Sequence, residues 1–372
     1  MHIPFCKQAC NYCNFHFSTS IRNKNDFVSS LLKEIELQHH FLGNECIKTI
    51  YFGGGTPSLL TFEDLGEIFL CLRNNFNIDP DPEITLEANP DDISGKKLSH
   101  WRSAGINRLS IGVQSFFDED LHWMNRAHHA SQSLSSISAA LVEGFSNISI
   151  DLIYGTPTLS DGNWNRNIDQ ALELGIPHLS CYALTVEPKT LLSKLIAEKK
   201  SKDIDPSDQA RQFELLMNWL KGAGYEHYEI SNFAQPGYRS KHNASYWEGK
   251  NYLGLGPSAH SYNGLFRQWN VSDNARYIQA LKNGGLAFEK EELTPVQRLN
   301  EYIMISLRTS EGCDLIYIEK KFAKMAMTRL AESASTHQER SMLRVEAKRI
   351  ILNDQGKLFA DGIASDLFFV NL

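Results

Sequence analysis

An α/β fold on a parallel sheet, followed by a smaller α-rich C-terminal domain, is what this sequence predicts. Three observations carry that expectation. Short strand-like segments alternate with amphipathic helical segments as far as about residue 230, polar and glycine residues stand at the ends of those strands, and helical periodicity returns after residue 294.

The strand candidates, in order, are HIPF at 2–5, KTIYF at 48–52, EITLEA at 83–88, INRLSIGVQ at 106–114, ISIDLIY at 148–154, HLSCYAL at 178–184 and HYEIS at 227–231. Their β-branched and aromatic content suits strands buried on both faces. Helical stretches at 25–41, 61–76, 131–144, 163–174 and 207–222 separate them, giving six or seven βα units. Such units build either an open doubly wound sheet or a closed barrel, and both gather function at the carboxyl ends of the strands. The chain is expected to divide at 1–235, 236–293 and 294–372. The middle part, with PGYRSKHNASYW and NYLGLGPSAHSYNG, reads as a loop-rich segment capping a site. In the last part a basic helix is expected around 338–352, ending in a hairpin-like NDQGKLFADG.

Composition narrows the function classes. With 22% charged residues and a net charge of -7, the chain lacks the basic footprint of broad nucleic-acid binding. No apolar run is long enough for a transmembrane segment, and no signal peptide precedes the first motif, so a cytoplasmic location is expected. Three of the seven cysteines cluster, as free thiols do in a reducing compartment. Cys46, Cys71, Cys181 and Cys313 have no ligand-like spacing and read as small buried hydrophobes.

The cluster, HIPFCKQACNYCNF, sets Cys6, Cys10 and Cys13 in a C-x3-C-x2-C spacing. Three thiolates on a four-iron cluster leave one iron open to chelate S-adenosylmethionine (SAM) through nitrogen and oxygen, which is the basis of radical SAM chemistry. The competing reading is a zinc site or three unrelated thiols. Structural zinc takes four ligands in paired spacings; His2 and His16 flank the motif, but no second C-x2-C or H-x3-H pair completes a site.

GGGTPS at 53–58 follows a strand, and glycines there let backbone groups approach a ligand; the bland alternative is a tight turn stopped by Pro57. It lacks the lysine of a P-loop and is not G-x-G-x-x-G, so nucleotide-phosphate readings lose. Glu87, Gln114, Arg126 and Asp151 end or line successive strands and have the donors and acceptors for SAM's charges and hydroxyls. Singly, each reads equally well as an ion-paired strand end or a solvated helix residue.

The runs HIPFCKQACNYCNF, YFGGGTPS, EANP, RLSIGVQSF, DLIYGTP, YEISNFA, HNASYW and YLGLGPSAHSY make the chain resemble, over almost its whole length, the radical SAM family of oxygen-independent coproporphyrinogen III oxidases, and especially its HemW branch. The resemblance implies a partial (β/α)6 barrel, a C-terminal family-specific domain, Cys6, Cys10 and Cys13 as ligands of a [4Fe–4S] cluster, and SAM contacts from Gly54, Gly55, Thr56, Glu87, Gln114, Arg126 and Asp151. It assigns no catalytic residue.

Two departures bear on the branch. The oxidases resemble C-x3-C-x2-C-x-C and carry an N-terminal extension; here Phe15 stands two after Cys13 and the motif begins at residue 2. Both point to HemW-like haem chaperones, whose implied partners are haem, an apo-haemoprotein recipient and a reducing electron donor. Relatives carry a Tyr and several strand residues before the position of His2, so the first strand and part of the SAM site are expected to be incomplete here. His242, in HNASYW, resembles the histidine of the branch's HNxxYW motif and is the expected haem ligand, with Tyr246 and Trp247 stacking on porphyrin near the carboxyl end of the barrel. A histidine that merely hydrogen-bonds in its own loop is the alternative. The alternative activities are coproporphyrinogen III dehydrogenation, with radical removal of two propionate carboxyls, and a methyltransferase without a cluster, which leaves the cysteine loop without purpose.

Overall fold

The computed structural model describes residues 1–371. Its main sheet contains β1 (His2–Ile3), β2 (Ile47–Gly54), β3 (Ile78–Ala88), β4 (Arg108–Gln114), β5 (Asn147–Tyr154) and β6 (His178–Ala183), all parallel and in sequential order. β7 (Glu226–Glu229) and β8 (Asn232–Ala234) complete it as an antiparallel hairpin, β8 lying beside β6. The strand order runs from β1 to β7 without returning to β1, so the sheet is a partial barrel of six parallel strands. Only five residues separate the start of β7 from that of β8, too few for the crossover that a seventh parallel strand needs.

Alternation along the parallel strands sorts their side chains. Ile50, Phe52, Leu86, Ile111, Ile150 and Leu179 pack into the hydrophobic core beneath the helices. The residues between them are polar and meet across the opposite, concave face: Tyr51 reaches Glu87, Ser110 reaches Asp151, and Ser149 reaches His178. The apolar face is buried, whereas the polar concave face is buried only in part: Arg108, Ser110, Ser149 and His178 are buried, while Tyr51, Glu87 and Asp151 are half-buried.

Covering helices begin where the sequence offers caps. Thr61 and Asp64 form a reciprocal capping box at Phe62–Asn75, Ser160 caps Asp161–Glu173, and Asp205 followed by Pro206 opens Pro206–Gly222. Gly105, at φ 103°, ends Gly95–Ala104 in the left-handed conformation that glycine adopts without strain.

Residues 236–293 hold more regular structure than their composition suggests. They contain a helix at Lys241–Trp247, another at Asn274–Lys282, and an antiparallel sheet of β9 (His260–Tyr262), β10 (Phe266–Asn270) and β11 (Phe288–Glu292). Glu34, on the helix Lys24–Leu37, ties this part to the barrel. Its buried carboxylate accepts from Gly256 N–H at 2.7 Å, Asn270 Nδ2 at 2.6 Å and the Tyr277 hydroxyl at 2.6 Å. Burial pushes its pKa up while these donors oppose the shift.

The C-terminal part has its own core, with Leu299, Ile303, Ile318, Leu330 and Ile350 among its members. Its first helix, Pro295–Leu307, opens with a Thr294–Gln297 capping box and proline at the first turn. The basic helix expected around 338–352 is instead the end of Lys324–Glu339 followed by the hairpin of β13 (Leu343–Glu346) and β14 (Arg349–Leu352); β12 (Cys313–Asp314) pairs with β14. Ala347 and Lys348 both take positive φ at the tight turn, and Leu343, Ile350 and Leu352 alternate inward. The expected hairpin at 353–362 is helical in part, at Asp354–Lys357 and from Ala360. Cys46 is exposed and Cys71 half-buried, so only Cys181 and Cys313 match the buried-hydrophobe reading.

Replacing Glu34 with Ala leaves three buried donors without an acceptor and is expected to cost about 3 kcal/mol or more of stability, with Glu34→Gln less costly. Urea midpoints measure both; an unchanged midpoint for Glu34→Ala would show that the carboxylate does not hold residues 250–281 in place.

Candidate functional site

The cysteine loop leaves β1 and is fastened along its length. Cys6 N–H donates to Ser18 O at 3.0 Å, Lys7 Nζ pairs with Asp91 at 2.9 Å and with Asp92, and Gln8 Nε2 donates to Asn125 O at 2.9 Å. In return Asn125 Nδ2 donates to Ala9 O at 2.7 Å, and Asn11 Nδ2 to Trp123 O at 2.9 Å. Asn125 sits at φ 57°, a left-handed position that asparagine tolerates, and it turns the chain so that Arg126 follows directly. Between the second and third cysteines, Tyr12 packs against the buried cluster of Leu121, Met124, Ile153, Leu184 and Leu192.

Arg126 is the hinge of the site. Its Nη1 donates to Cys10 Sγ at 3.2 Å, and its Nη2 to Asn89 Oδ1 at 2.7 Å and Gly112 O at 2.9 Å. Asn89 Nδ2 continues to Thr56 Oγ1 at 3.3 Å, and the Thr56 hydroxyl lies near the Cys6 thiol. Burial pushes the Cys6 thiol up to about 11 and raises Cys13 as well; the neighbouring Thr56 hydroxyl and the Arg126 charge oppose the shift at Cys6. Gln114, at φ 68° beyond a register shift in the β4–β5 pairing, lies against the same group. A Cβ added at Gly112 would lie 3.0 Å from Gln114 Nε2 and 3.2 Å from Arg126 Nη2, so a larger residue there would press on these polar ends.

The glycine turn packs against β1. A Cβ on Gly55 would meet Ile3 O at 2.7 Å, and one on Gly54 would overlap the His2 ring. Gly54 N–H donates to Glu87 Oε2 at 3.1 Å, while Glu87 Oε1 accepts from the Tyr51 hydroxyl at 2.6 Å. Below lie Asp151 and Arg108, the latter 1% exposed with Nε unpartnered. Burial raises Asp151 to about 7, the neighbouring Glu87 charge adds to this, and the Arg108 guanidinium opposes it.

The expected residues therefore fall into two groups and one outlier. Cys10, Thr56 and Arg126 share one hydrogen-bond network with Asn89 and Gly112, and Cys6, Cys13 and Gln114 lie beside it; Gly54, Glu87 and Asp151 share the concave wall with Tyr51 and Arg108, and Gly55 packs against the backbone of β1. Sequence reasoning missed Asn89, for which the polar strand end in EANP was the available signal, whereas nothing in the sequence distinguishes Gly112 or Tyr51 from ordinary strand residues. His242 stands apart. Its backbone N–H donates to Glu83 Oε1 at 2.8 Å and its Nδ1 lies 2.7 Å from Thr49 Oγ1. Thr49 precedes Gly54 by five residues, about 16 Å along a strand, so His242 is toward the amino ends of β2 and β3 and not at the carboxyl rim expected from sequence.

There His242 lines a cavity of about 800 Å³, with Tyr246, Tyr252, His260 and the edge of β2 among its walls. The imidazole stacks on Tyr51 with ring centres 4.8 Å apart and meets Tyr246 edge-on at 5.1 Å. Burial, then the charges of the amino terminus and Arg108, lower its pKa to about 3, so it is neutral near pH 7. Tyr51 joins the two regions, since its ring carries His242 and its hydroxyl holds Glu87.

Among the described residues, no three His, Cys, Asp or Glu side chains converge closely enough to hold one metal ion. A cluster takes each thiolate on a different iron, so its ligands need not converge on one point. Three half-buried thiols on a clamped loop, beside a guanidinium and a threonine hydroxyl, fit such a cluster.

The radical SAM superfamily model matches residues 1–185. The heme chaperone HemW of Bacillus subtilis is 33% identical over 367 residues, covering 98% of this chain and 97% of that protein. The heme chaperone HemW of Mycobacterium tuberculosis is 32% identical over 372 residues, covering 99% and 93%. Among solved structures, coproporphyrinogen III oxidase HemN from Escherichia coli superimposes with a TM-score of 0.85 over 100% of this chain and 89% of that one, at 24% identity, a likeness of fold.

Asp151 generates a pH prediction. Its folded pKa lies above the value of about 3.9 in an unfolded chain, so the folded state retains a proton that the unfolded state has released, and this contribution to stability falls as pH rises from about 4 to about 7. Asp151→Asn should be more stable than the parent at pH 8 and should lose less between pH 5 and pH 8. Thermal melts at the two pH values test this, and identical pH dependence in parent and variant would contradict it.

Proposed function

The chain belongs to the HemW family within the radical SAM superfamily, and from that premise we propose that it binds haem through His242 and delivers it to an apo-haemoprotein. What supports this reading is the 32–33% identity to the heme chaperones HemW over nearly the whole chain, together with the His242 imidazole of HNASYW held neutral against the rings of Tyr51 and Tyr246. A neutral imidazole keeps the lone pair that iron requires.

In the same reading Cys6, Cys10 and Cys13 hold a [4Fe–4S] cluster, and Gly54, Gly55, Thr56, Glu87, Gln114, Arg126 and Asp151 receive SAM beside it. With a reducing donor, such a cluster and SAM supply one-electron cleavage of the SAM sulfonium. The chain's own part is to hold the thiols in place through Arg126 and Thr56, and to offer the carboxylates of Glu87 and Asp151 to an ammonium or to hydroxyls. No helix among the described residues is long and apolar enough to cross a membrane.

The second reading is coproporphyrinogen III dehydrogenase, favoured by the shared HemN fold. Phe15, two residues beyond Cys13 and 69% exposed, weighs against it, because that is where the oxidases resemble a further cysteine.

An anaerobic haemin titration of the iron–sulfur-reconstituted protein, followed at the Soret band, tests the proposal. Saturable binding is expected, at least about tenfold weaker in His242→Ala. Affinity should also stay flat from pH 5.5 to 8, since protonation of His242 competes only near pH 3. Absence of haemin binding, together with formation of protoporphyrinogen IX from coproporphyrinogen III, would transfer the assignment to the dehydrogenase.

A further inference from the structure

Asn89 follows β3 and precedes the short turn Pro90–Asp92, a position from which an asparagine side chain commonly caps the backbone. Here it makes no such bond. The turn is closed by backbone alone, with Asp92 N–H donating to Asn89 O at 2.9 Å. The amide is left for the two groups that face it, Arg126 Nη2 at 2.7 Å and Thr56 Oγ1 at 3.3 Å. Arginine has no acceptor, so the amide end towards it is the oxygen and the end towards Thr56 is the nitrogen.

These contacts fix the guanidinium as a plane. Nη2 has two hydrogens, and Asn89 Oδ1 and Gly112 O, at 2.9 Å, take both. Nη1 is then aimed at Cys10 Sγ, 3.2 Å away. With Gly112 O alone the plane could swing about one hydrogen bond, whereas two acceptors set its direction. Gly112 lies on β4 and Asn89 at the end of the paired strand β3, so both anchors are held by the sheet.

We propose that Asn89 is a positioning residue that holds the Arg126 donor on the Cys10 sulfur and thereby raises the reduction potential of the cluster bound there. The inference rests on Cys6, Cys10 and Cys13 as cluster ligands. In the reduction one electron enters the cluster from a low-potential reductant, no bond breaks and no proton moves. The ligand sulfurs share the added negative charge, so a cationic donor on Cys10 favours the reduced form. Asn89 donates to Thr56 and to no cysteine, and its effect on the cluster runs through Arg126.

The test is an anaerobic dithionite titration of the iron–sulfur-reconstituted full chain, followed by the electron paramagnetic resonance signal of the reduced cluster. It compares the parent, Asn89→Ser, Arg126→Gln and the double variant, all without SAM, so that SAM's own contacts stay out of the reading. Serine suits the start of a helical turn as well as asparagine does, but it is too short to reach Arg126. Asn89→Ser should keep the parent's iron content and make reduction about tenfold harder, a fall of about 59 mV for one electron. Arg126→Gln should fall at least as far, and the double variant no further than Arg126→Gln. An unchanged midpoint in Asn89→Ser, or a double variant in which the two shifts add, overturns the proposal. If Asn89→Ser loses its fold or its iron, Asn89→Thr takes its place and is read in the same way; the same loss in both makes Asn89 a structural residue and overturns the proposal too. A parent that holds no four-iron cluster removes the cluster reading itself.

Discussion

Strict alternation along six parallel strands is the constraint from which the rest of this molecule follows. One face of each strand is apolar and disappears under helices, so the residues between are forced onto the concave wall whatever their chemistry. That wall buries Arg108 and half-buries Tyr51, Glu87 and Asp151. Burying carboxylates beside a guanidinium is weak evidence for stability, because desolvation offsets much of the attraction. Retaining such groups makes sense where a ligand uses them, and the raised pKa of Asp151 records the cost.

Preorganisation has a different origin at each end of the wall. At the carboxyl end, backbone carbonyls and short polar side chains of Trp123, Asn125 and Arg126 clamp the cysteine loop. The loop is thus fastened by the protein along its length. At the other end His242 is oriented by Thr49 and by stacking on Tyr51, both on β2. The same strand therefore supplies the glycine turn near the cysteines and the bed for the histidine, with the Tyr51–Glu87 hydrogen bond between them.

Most of the architecture was legible in the chain. The six parallel strands lie within a few residues of their hydrophobic runs, and helix starts coincide with Thr61, Ser160 and Asp205, because period, caps and turns are local properties. The errors have nonlocal or subtle local causes. The hairpin at Leu343–Leu352 was hidden because Ala347 and Lys348 are unusual residues for a left-handed turn. The strands of residues 252–292 were hidden because they are short and pair only with one another.

By itself the sequence determined the thiol spacing, the order of the βα units and the residue types at the strand ends, since these depend on neighbours along the chain. Tertiary structure decided which of those residues meet. Arg126 lies 116 residues from Cys10 and donates to it, Asn89 enters the same network from β3's end, and His242 is carried back across 193 residues to Thr49, away from the rim where the motif order suggested it. Contacts of that separation are fixed by how helices and sheet pack into one core. That packing set the distance between the cysteines and the histidine, which no local pattern encodes.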